Sequence, residues 1–251
     1  MVIDISNKGV YVAKKKNGEI YYRASFTYKN KHISLGSFDS MEKANSAYEF
    51  ATRLINSELS IDDYSLDFAI DFEKYVLIIN FRDNGIYLSN PIYVRKNYIS
   101  YYLSLHEEMK FSIDDLFYYM SHKILRRGNH LYVNDYGMQI SLRQRYGIKN
   151  YAVEGKDFVF CNGDVLDYRY ENIKIINTYQ GVEQVLYNKK NCFKVKIHVN
   201  GDYIVGYYED AIKAAVVYNK AADVLKKTGI NKNYPINYVD NISGKTYANM
   251  F

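Results

Sequence analysis

Tyr22-Arg23-Ala24-Ser25-Phe26, then Ile33-Ser34-Leu35-Gly36-Ser37-Phe38, then Lys43-Ala44 with Ala47-Tyr48 and Ala51, form a pattern that occurs twice in this chain. Its second occurrence is Phe193-Lys194-Val195-Lys196-Ile197, Tyr203-Ile204-Val205-Gly206-Tyr207-Tyr208, and Lys213-Ala214 with Val217-Tyr218 and Ala221. Lys8-Gly9-Val10-Tyr11 opens the first copy and Gln180-Gly181-Val182-Glu183 the second. The offset between copies is 172 at the Gly-Val pairs, 171 over the next segment and 170 thereafter. Two single-residue gaps reconcile the whole, both where turns are expected. Four matches in order mark an internal duplication.

Each copy reads as three short strands followed by one helix. Asn17-Gly18 and Asn200-Gly201 are hairpin signals between alternating segments. Tyr22, Ala24 and Phe26 are expected to face one way, with Arg23, Ser25 and Thr27 facing the other. In the second copy Phe193, Val195 and Ile197 make the inner face, with Lys194, Lys196 and His198 outside. Asp39 or Ser40 can cap a helix carrying Ala44, Ala47, Tyr48, Ala51 and Leu54 at helical spacing, and Ala214, Ala215, Tyr218, Ala221, Ala222 and Leu225 repeat that stripe. Small alanines let such a helix lie close on a three-stranded sheet. The other face then stays open, and its residues are largely basic or polar.

Composition bounds the rest. The chain has 251 residues, 48% of them apolar and 24% charged, as in an ordinary globular protein. Two cysteines, Cys161 and Cys192, make neither a disulfide framework nor a CxxC zinc pair; both are expected to be inert, Cys161 as a buried thiol. No apolar run approaches the ~18 residues of a membrane span, and the opening MVIDISNKG lacks a signal-peptide pattern, so a cytosolic protein is the expectation. Aromatics are unusual: 29 Tyr and 12 Phe without a Trp. The net charge of +5 is unevenly placed: residues 8–56 hold nine Lys and Arg against four acids, 57–176 hold 14 against 17, and 177–251 hold ten against six. A basic surplus at both ends favours an anionic partner. Between Glu58 and Glu73 stand six acids and no base, either a solvated connector or a face that repels phosphate.

The pattern GV…(Y/F)xAx(F/I)…LGxF…EKAxxAYxxA resembles the plant ethylene-response-factor, or Apetala-type, DNA-binding domain, which also occurs in phage and mobile-element proteins. The likeness covers Lys8 to about Leu54 and Gly181 to about Leu225, and Asn237-Tyr238 resembles a short tail of the phage versions. The family's usual tryptophan is Tyr22 or Phe193 here, and the arginine after Gly-Val is Tyr11 or Glu183. The resemblance implies double-stranded DNA contacts from the first two strands of each copy: Lys8, Tyr11, Lys14, Lys16, Arg23, Ser25 and Thr27 in the first, and Lys189, Lys190, Lys194, Lys196 and His198 in the second. Base preference does not carry over.

In the middle, Ser112-Ile113-Asp114-Asp115 is expected to begin a helix running to about Arg126-Arg127, with Ile113, Leu116, Phe117, Met120, Ile124 and Leu125 as its apolar stripe. Strands are expected at His130–Val133 and Met138–Leu142. Phe158 to Ile176 resembles the core of HNH homing nucleases, V-x-H-x-D-G-N-x-L-D-N-R-x-x-N-L, through Asn162-Gly163-Asp164, Leu166-Asp167, Arg169 and Asn172-Ile173. Such a nuclease needs a histidine base and a divalent metal. The histidine position is Phe160, the following acid is Asn162, the central Asn is Tyr168, and Gln180 enters the second repeat where the last ligand's helix would lie. Loss of the base alone costs ~10²–10⁴-fold in rate. His32, His106, His122 and His130 show no HxH or HExxH spacing. Arg126, Arg127, Arg143, Arg145 and Lys149 form a basic group that either adds a DNA-backbone contact or is a solvated surface.

The expectation is an α+β protein in three parts: residues 1–58 and 178–251 as sheet-plus-helix DNA-binding domains, and 59–177 as a degenerate HNH-like domain between them. The implied function is non-enzymatic, cofactor-free and metal-free sequence-specific DNA binding at a bipartite site, as a transcriptional regulator, in the repressor sense, of a phage or mobile element. Two other classes stand beside it: an active metal-dependent endonuclease, and a protein-interaction module that inhibits a host factor.

Overall fold

A computed structural model describes residues 8–150, 152–230, 232–240 and 242–251; the first seven residues, on which the leader expectation rests in part, lie outside them. The protein is mixed α+β. Among the described residues the strands form four three-stranded antiparallel sheets and one two-stranded hairpin. No helix is long and apolar enough to cross a membrane among these residues. The chain clusters into two compact units, Met1–Leu142 with Val165–Tyr170, and Arg143–Asp164 with Glu171–Phe251.

The first unit opens with β1 (Val10–Lys14), β2 (Ile20–Tyr28) and β3 (Lys31–Phe38), then α1 (Met41–Leu54). Ser40 caps α1, its Oγ accepting from the Lys43 amide at 3.3 Å, while Asp39 instead pairs with the Lys43 ammonium at 2.8 Å. Ala44, Ala47 and Ala51 are fully buried against Val10, Ala24, Phe26 and Ile33 of the sheet. The same core continues into α2 (Phe72–Asn84), whose residues Tyr75 to Phe81 are all buried. Asp71 precedes α2 in the extended conformation and left-handed Gly85 ends it. Arg82 of α2 donates to the carbonyls of Leu54, Ser57 and Leu59, closing the end of α1 onto it.

All six acids between Glu58 and Glu73 are exposed, while Ile61 and Ile70 turn inward with a cluster of edge-on rings, Tyr64, Phe68, Phe72 and Tyr75. The stretch is therefore solvated on one side and part of the core on the other. Two further sheets complete this unit: β4 (Ile92–Val94), β5 (Tyr98–Ser104) and β6 (Glu107–Ser112), and β7 (Ile124–Arg127), β8 (His130–Asp135) and β9 (Met138–Ser141). The strands expected at His130 and Met138 are β8 and β9.

The helix expected from Ser112 to Arg127 is not formed as such. A 3-10 turn, Ile113–Asp115, leads into the single turn α3 (Leu116–Tyr119), and Ile124–Arg127 is strand. The Tyr118 carbonyl accepts from the Ser121 and His122 amides at 3.2 and 3.1 Å, with the His122 Nδ1 and Ser121 Oγ also 2.9 and 3.1 Å from it, and two residues further on the chain is strand. Left-handed Gly128 then turns Leu125-Arg126-Arg127 back onto His130–Tyr132. The expected stripe is correspondingly broken up: Phe117 is 80% exposed, Ile124 is buried but as part of β7, and Tyr119 is the buried residue of α3.

The second unit contains most of the one-turn helix α4 (Leu142–Arg145), the hairpin β10 (Phe158–Phe160) with β11 (Ile173–Ile175), and the sheet β12 (Val182–Tyr187), β13 (Lys190–His198) and β14 (Asp202–Tyr208) under α5 (Ala211–Lys227). Asp210 caps α5 through the Lys213 amide at 2.7 Å. Ala214, Ala215, Tyr218 and Ala222 bury against Val182, Val195 and Ile197. The chain ends in α6 (Gly244–Met250). Asn237 staples the tail down: its amide exchanges hydrogen bonds with both the N–H and the C=O of Gln180 at 2.7 and 3.0 Å, while the Asn219 amide does the same for the Asn237 backbone at 2.8 and 2.9 Å.

The repeat is visible as matched register. Val10 faces Ala24 and Val182 faces Val195; Tyr11 faces Arg23 and Glu183 faces Lys194; Thr27 faces His32 and His198 faces Asp202. Both sheets bulge at one place, between Ala24 and Ser25 and between Val195 and Lys196. The two expected Gly turns, however, are not equivalent. Asn17-Gly18 lies between the first two strands of its sheet and Asn200-Gly201 between the last two of its own. The counterpart turns are tight pairs without glycine, Asn188-Lys189 and Lys29-Asn30, with every φ between 44° and 64°. The single-residue gaps of the alignment fall in these unequal turns.

Candidate nucleic-acid interface

The helix covers one face of the first sheet and leaves the other open. Across that open face run three cross-strand rows: Tyr11–Arg23–Ser37, Ser25–Ser34 and Thr27–His32. The bulge dishes the surface into a hollow of about 520 Å³ lined by Tyr11, Arg23, Ala24, Ser25, His32 and Ser34. Ser25 is its floor, 7% exposed, so of the nominated contacts it is the recessed one. The Arg23 guanidinium is held over the Tyr21 ring, 5.4 Å from its centroid, and donates to the Tyr21 hydroxyl at 2.9 Å. Lys8, Lys14 and Lys16 are exposed around the rim, as are Tyr11 and Thr27. Among the described residues neither they nor Arg23 forms an ion pair; the neighbouring Lys15 pairs with Glu19 at 2.9 Å.

The same positions of the second sheet carry a different charge pattern. Glu183 takes the place of Tyr11 and lies 3.1 Å from Lys194 and 3.0 Å from Lys156. Asp202 takes the place of His32 and lies 2.7 Å from Lys196 and 2.9 Å from His198. Partial burial of Glu183 works to raise its pKa, but the two lysines beside it together outweigh that and the carboxyl titrates below its usual range. Hydrogen bonds from Lys196 and His198 bring Asp202 down to about 2. Tyr187 and Tyr207 stack at 4.1 Å on this sheet, and Ile204 is exposed where the first sheet has Ser34. Lys189 and Lys190, in and after the tight turn, are exposed. Tyr22 and Phe193, the matching aromatics of the two copies, both pack on the cores beneath.

The middle cations are dispersed. Arg126 of β7 makes a two-pronged contact with Glu107 at 3.0 and 2.7 Å, and Arg127 is exposed beside it. Arg143 and Arg145 lie in α4, with Arg143 5.4 Å from the Phe158 ring centroid. Lys149 is partly buried, which lowers its pKa against the pull of Asp157. Arg126 and Arg127 belong to the first compact unit, the other three to the second.

The nuclease-like segment is divided in the same way. Val165–Tyr170 belongs to the first unit, adding a bridge to β6 through Lys110 and Asp167; Phe158–Asp164 and Glu171–Ile175 belong to the second. Phe160 faces inward at 5% exposure and packs edge-on to Phe158. Tyr168, at the central Asn position, is buried against Phe111. Asn172 is buried and accepts from the Asn162 amide at 2.8 Å, bracing the loop. Asp167 is fully buried and grips Arg169 at 2.9 and 2.6 Å. No helix lies between β11 and β12 among the described residues, and no three His, Cys, Asp or Glu side chains there gather into a group able to hold a metal ion. Cys161 is exposed rather than buried, because inward Phe158 and Phe160 turn the next residue out; Cys192 is the buried thiol.

Reasoning from sequence omitted Tyr21, His32, Ser34 and Ser37 from the first face, and Glu183, Asp202 and Lys156 from the second. Cross-strand pairing brings these residues in, and a written register for the hairpins would have found all but Lys156. Comparison with family models, curated proteins and solved structures finds no match to this chain.

Proposed function

We propose that the chain is a sequence-specific double-stranded DNA-binding protein, a regulator of transcription in a phage or mobile element, with two ethylene-response-factor-like sheets as its readers and residues 59–177 as a catalytically degenerate HNH-like part. One observation carries the reading: the open face of the first sheet presents unpaired cations around a dished, polar surface containing Arg23, Ser25, Thr27 and His32. Lysines at a rim suit phosphates, which position a protein on a duplex; an arginine and small hydroxyls at the centre suit base edges in the major groove. Arg23, already held by Tyr21, loses little freedom on contact. The second sheet repeats the register and is the weaker reader, since Lys194 and Lys196 on its open face are compensated.

Support for a non-cleaving protein comes from Phe160, which cannot accept a proton and is buried besides. Selection of bound sequences from a random duplex pool tests the binding claim: enrichment of one site, with two separated half-sites, is expected. Incubating supercoiled plasmid with the protein and Mg²⁺ or Mn²⁺ tests the rest. The plasmid is expected to stay supercoiled; nicking that EDTA abolishes would establish the endonuclease reading instead.

A further inference from the structure

We propose that Glu183 and Asp202 are built-in competitors of DNA phosphate, which suppress non-specific duplex binding by the second sheet and make the first sheet the one that engages DNA first. The inference rests on the DNA-binding reading and goes beyond it by assigning the two sheets unequal roles.

The two copies are one another's control. Their strands have the same register and the same bulge, so the open faces present side chains at matching positions. At two of these positions the first copy has Tyr11 and His32, and the second has carboxylates. Each carboxylate stands directly across a strand pair from a nominated contact, Glu183 from Lys194 and Asp202 from His198. Glu183 also holds two lysines, and Asp202 a lysine and the His198 imidazole, so that Lys156, Lys194, Lys196 and His198 all have an acidic partner within 3.1 Å. A phosphate approaching Lys194 or Lys196 must displace that partner and then lie beside the displaced negative charge. Duplex of any sequence offers phosphate, so this penalty falls hardest on non-specific binding. Base edges are not excluded in the same way, because a carboxylate accepts from the cytosine amino group.

Each partly exposed ion pair of this kind is worth at most about fivefold in an equilibrium constant, so the mask is a bias rather than a block. It also persists at neutral pH, since both carboxyls titrate below their usual range.

The test uses the full chain and a fluorescein-labelled mixed-sequence duplex of about 40 base pairs, followed by anisotropy over a salt series. Lys14→Ala with Arg23→Ala provides a background in which the first sheet is weakened. Adding Glu183→Gln and Asp202→Asn, both near-isosteric, is expected to tighten mixed-sequence binding roughly tenfold. The log–log salt slope should steepen by about two, near 0.9 for each lysine released. Should the double substitution perturb folding by circular dichroism, Asp202→Asn alone, at an exposed carboxylate, is expected to give about half the effect. Unchanged affinity and slope, in a chain whose unsubstituted form binds duplex, would overturn the mask and leave the DNA reading standing. Failure of the unsubstituted chain and every variant to bind any duplex would remove both.

Discussion

Gly9 and Gly181 show how closely the two copies agree at the level of single residues. Both have left-handed φ, +80° and +69°. A Cβ on Gly9 would fall 2.2 Å from the Tyr48 ring and 2.6 Å from the Ser25 carbonyl; on Gly181 it would fall 2.3 Å from the Tyr218 ring and 2.5 Å from the Lys196 carbonyl. Backbone hydrogen bonds from Ser25 and Lys196 to the two glycine carbonyls, 2.9 and 2.8 Å, lock the contact at the bulge. Gly9→Ala and Gly181→Ala are therefore each expected to cost about 3 kcal/mol, from conformational strain plus overpacking. Urea unfolding of the two variants checks this, and a loss below about 0.5 kcal/mol in either would contradict the account of that copy. These glycines are legible in the sequence, as the fixed points of the repeat. The carboxylates across from Lys194 and His198 are legible there only as charges in a count, because a net charge does not say which groups touch.

Elements were legible in proportion to how much of their information is local. Both sheet-plus-helix copies could be written down from alternation, turns and an alanine stripe, since each buries one face against its own neighbour. The expected helix from Ser112 gives way to a pairing that competes with its periodicity: left-handed Gly128 permits a hairpin in which Ile124–Arg127 lies against His130–Val133. Periodicity does not reveal α2, because its middle, Tyr75–Phe81, is buried on every side and its charges stand at the two ends rather than along one face. Its burial is what joins it to the first sheet's core. Ile79, fully buried there, is expected to cost about 2–4 kcal/mol on truncation to Ala. A chemical melt is the measurement, and a cost under 1 kcal/mol would mean that α2 adds little to that core. The aromatic surplus is accounted for at this scale as well: Tyr75, Tyr101 and Tyr119 are among the largest fully buried side chains. Burial pushes the Tyr75 and Tyr101 hydroxyls up to about 12, and both are hydrogen-bonded, to the Ser60 carbonyl and the Ile124 amide.

For the whole molecule, a surplus of +5 over 251 residues says little until it is placed. Among the described residues Lys8, Lys14, Lys16 and Arg23 of the first copy form no ion pair, whereas Lys194 and Lys196 of the second sheet each face a carboxylate, so segments of similar net charge present different fields to a polyanion. The HNH-like stretch, read in sequence as one core, is divided between two compact units, and its matching residues Asn172 and Asp167 serve as braces. The reading as a whole stands or falls with the open face of the first sheet. Its most direct test is the salt dependence of duplex binding by the intact chain, compared with the Lys14→Ala/Arg23→Ala variant. The log–log slope is expected to flatten by about 0.9 for each phosphate that the variant no longer neutralises, with affinity falling at least tenfold. Lys194→Ala/Lys196→Ala should change both quantities less. Binding that ignores salt, or a slope and affinity that survive removal of the Lys14 and Arg23 side chains, would contradict the account.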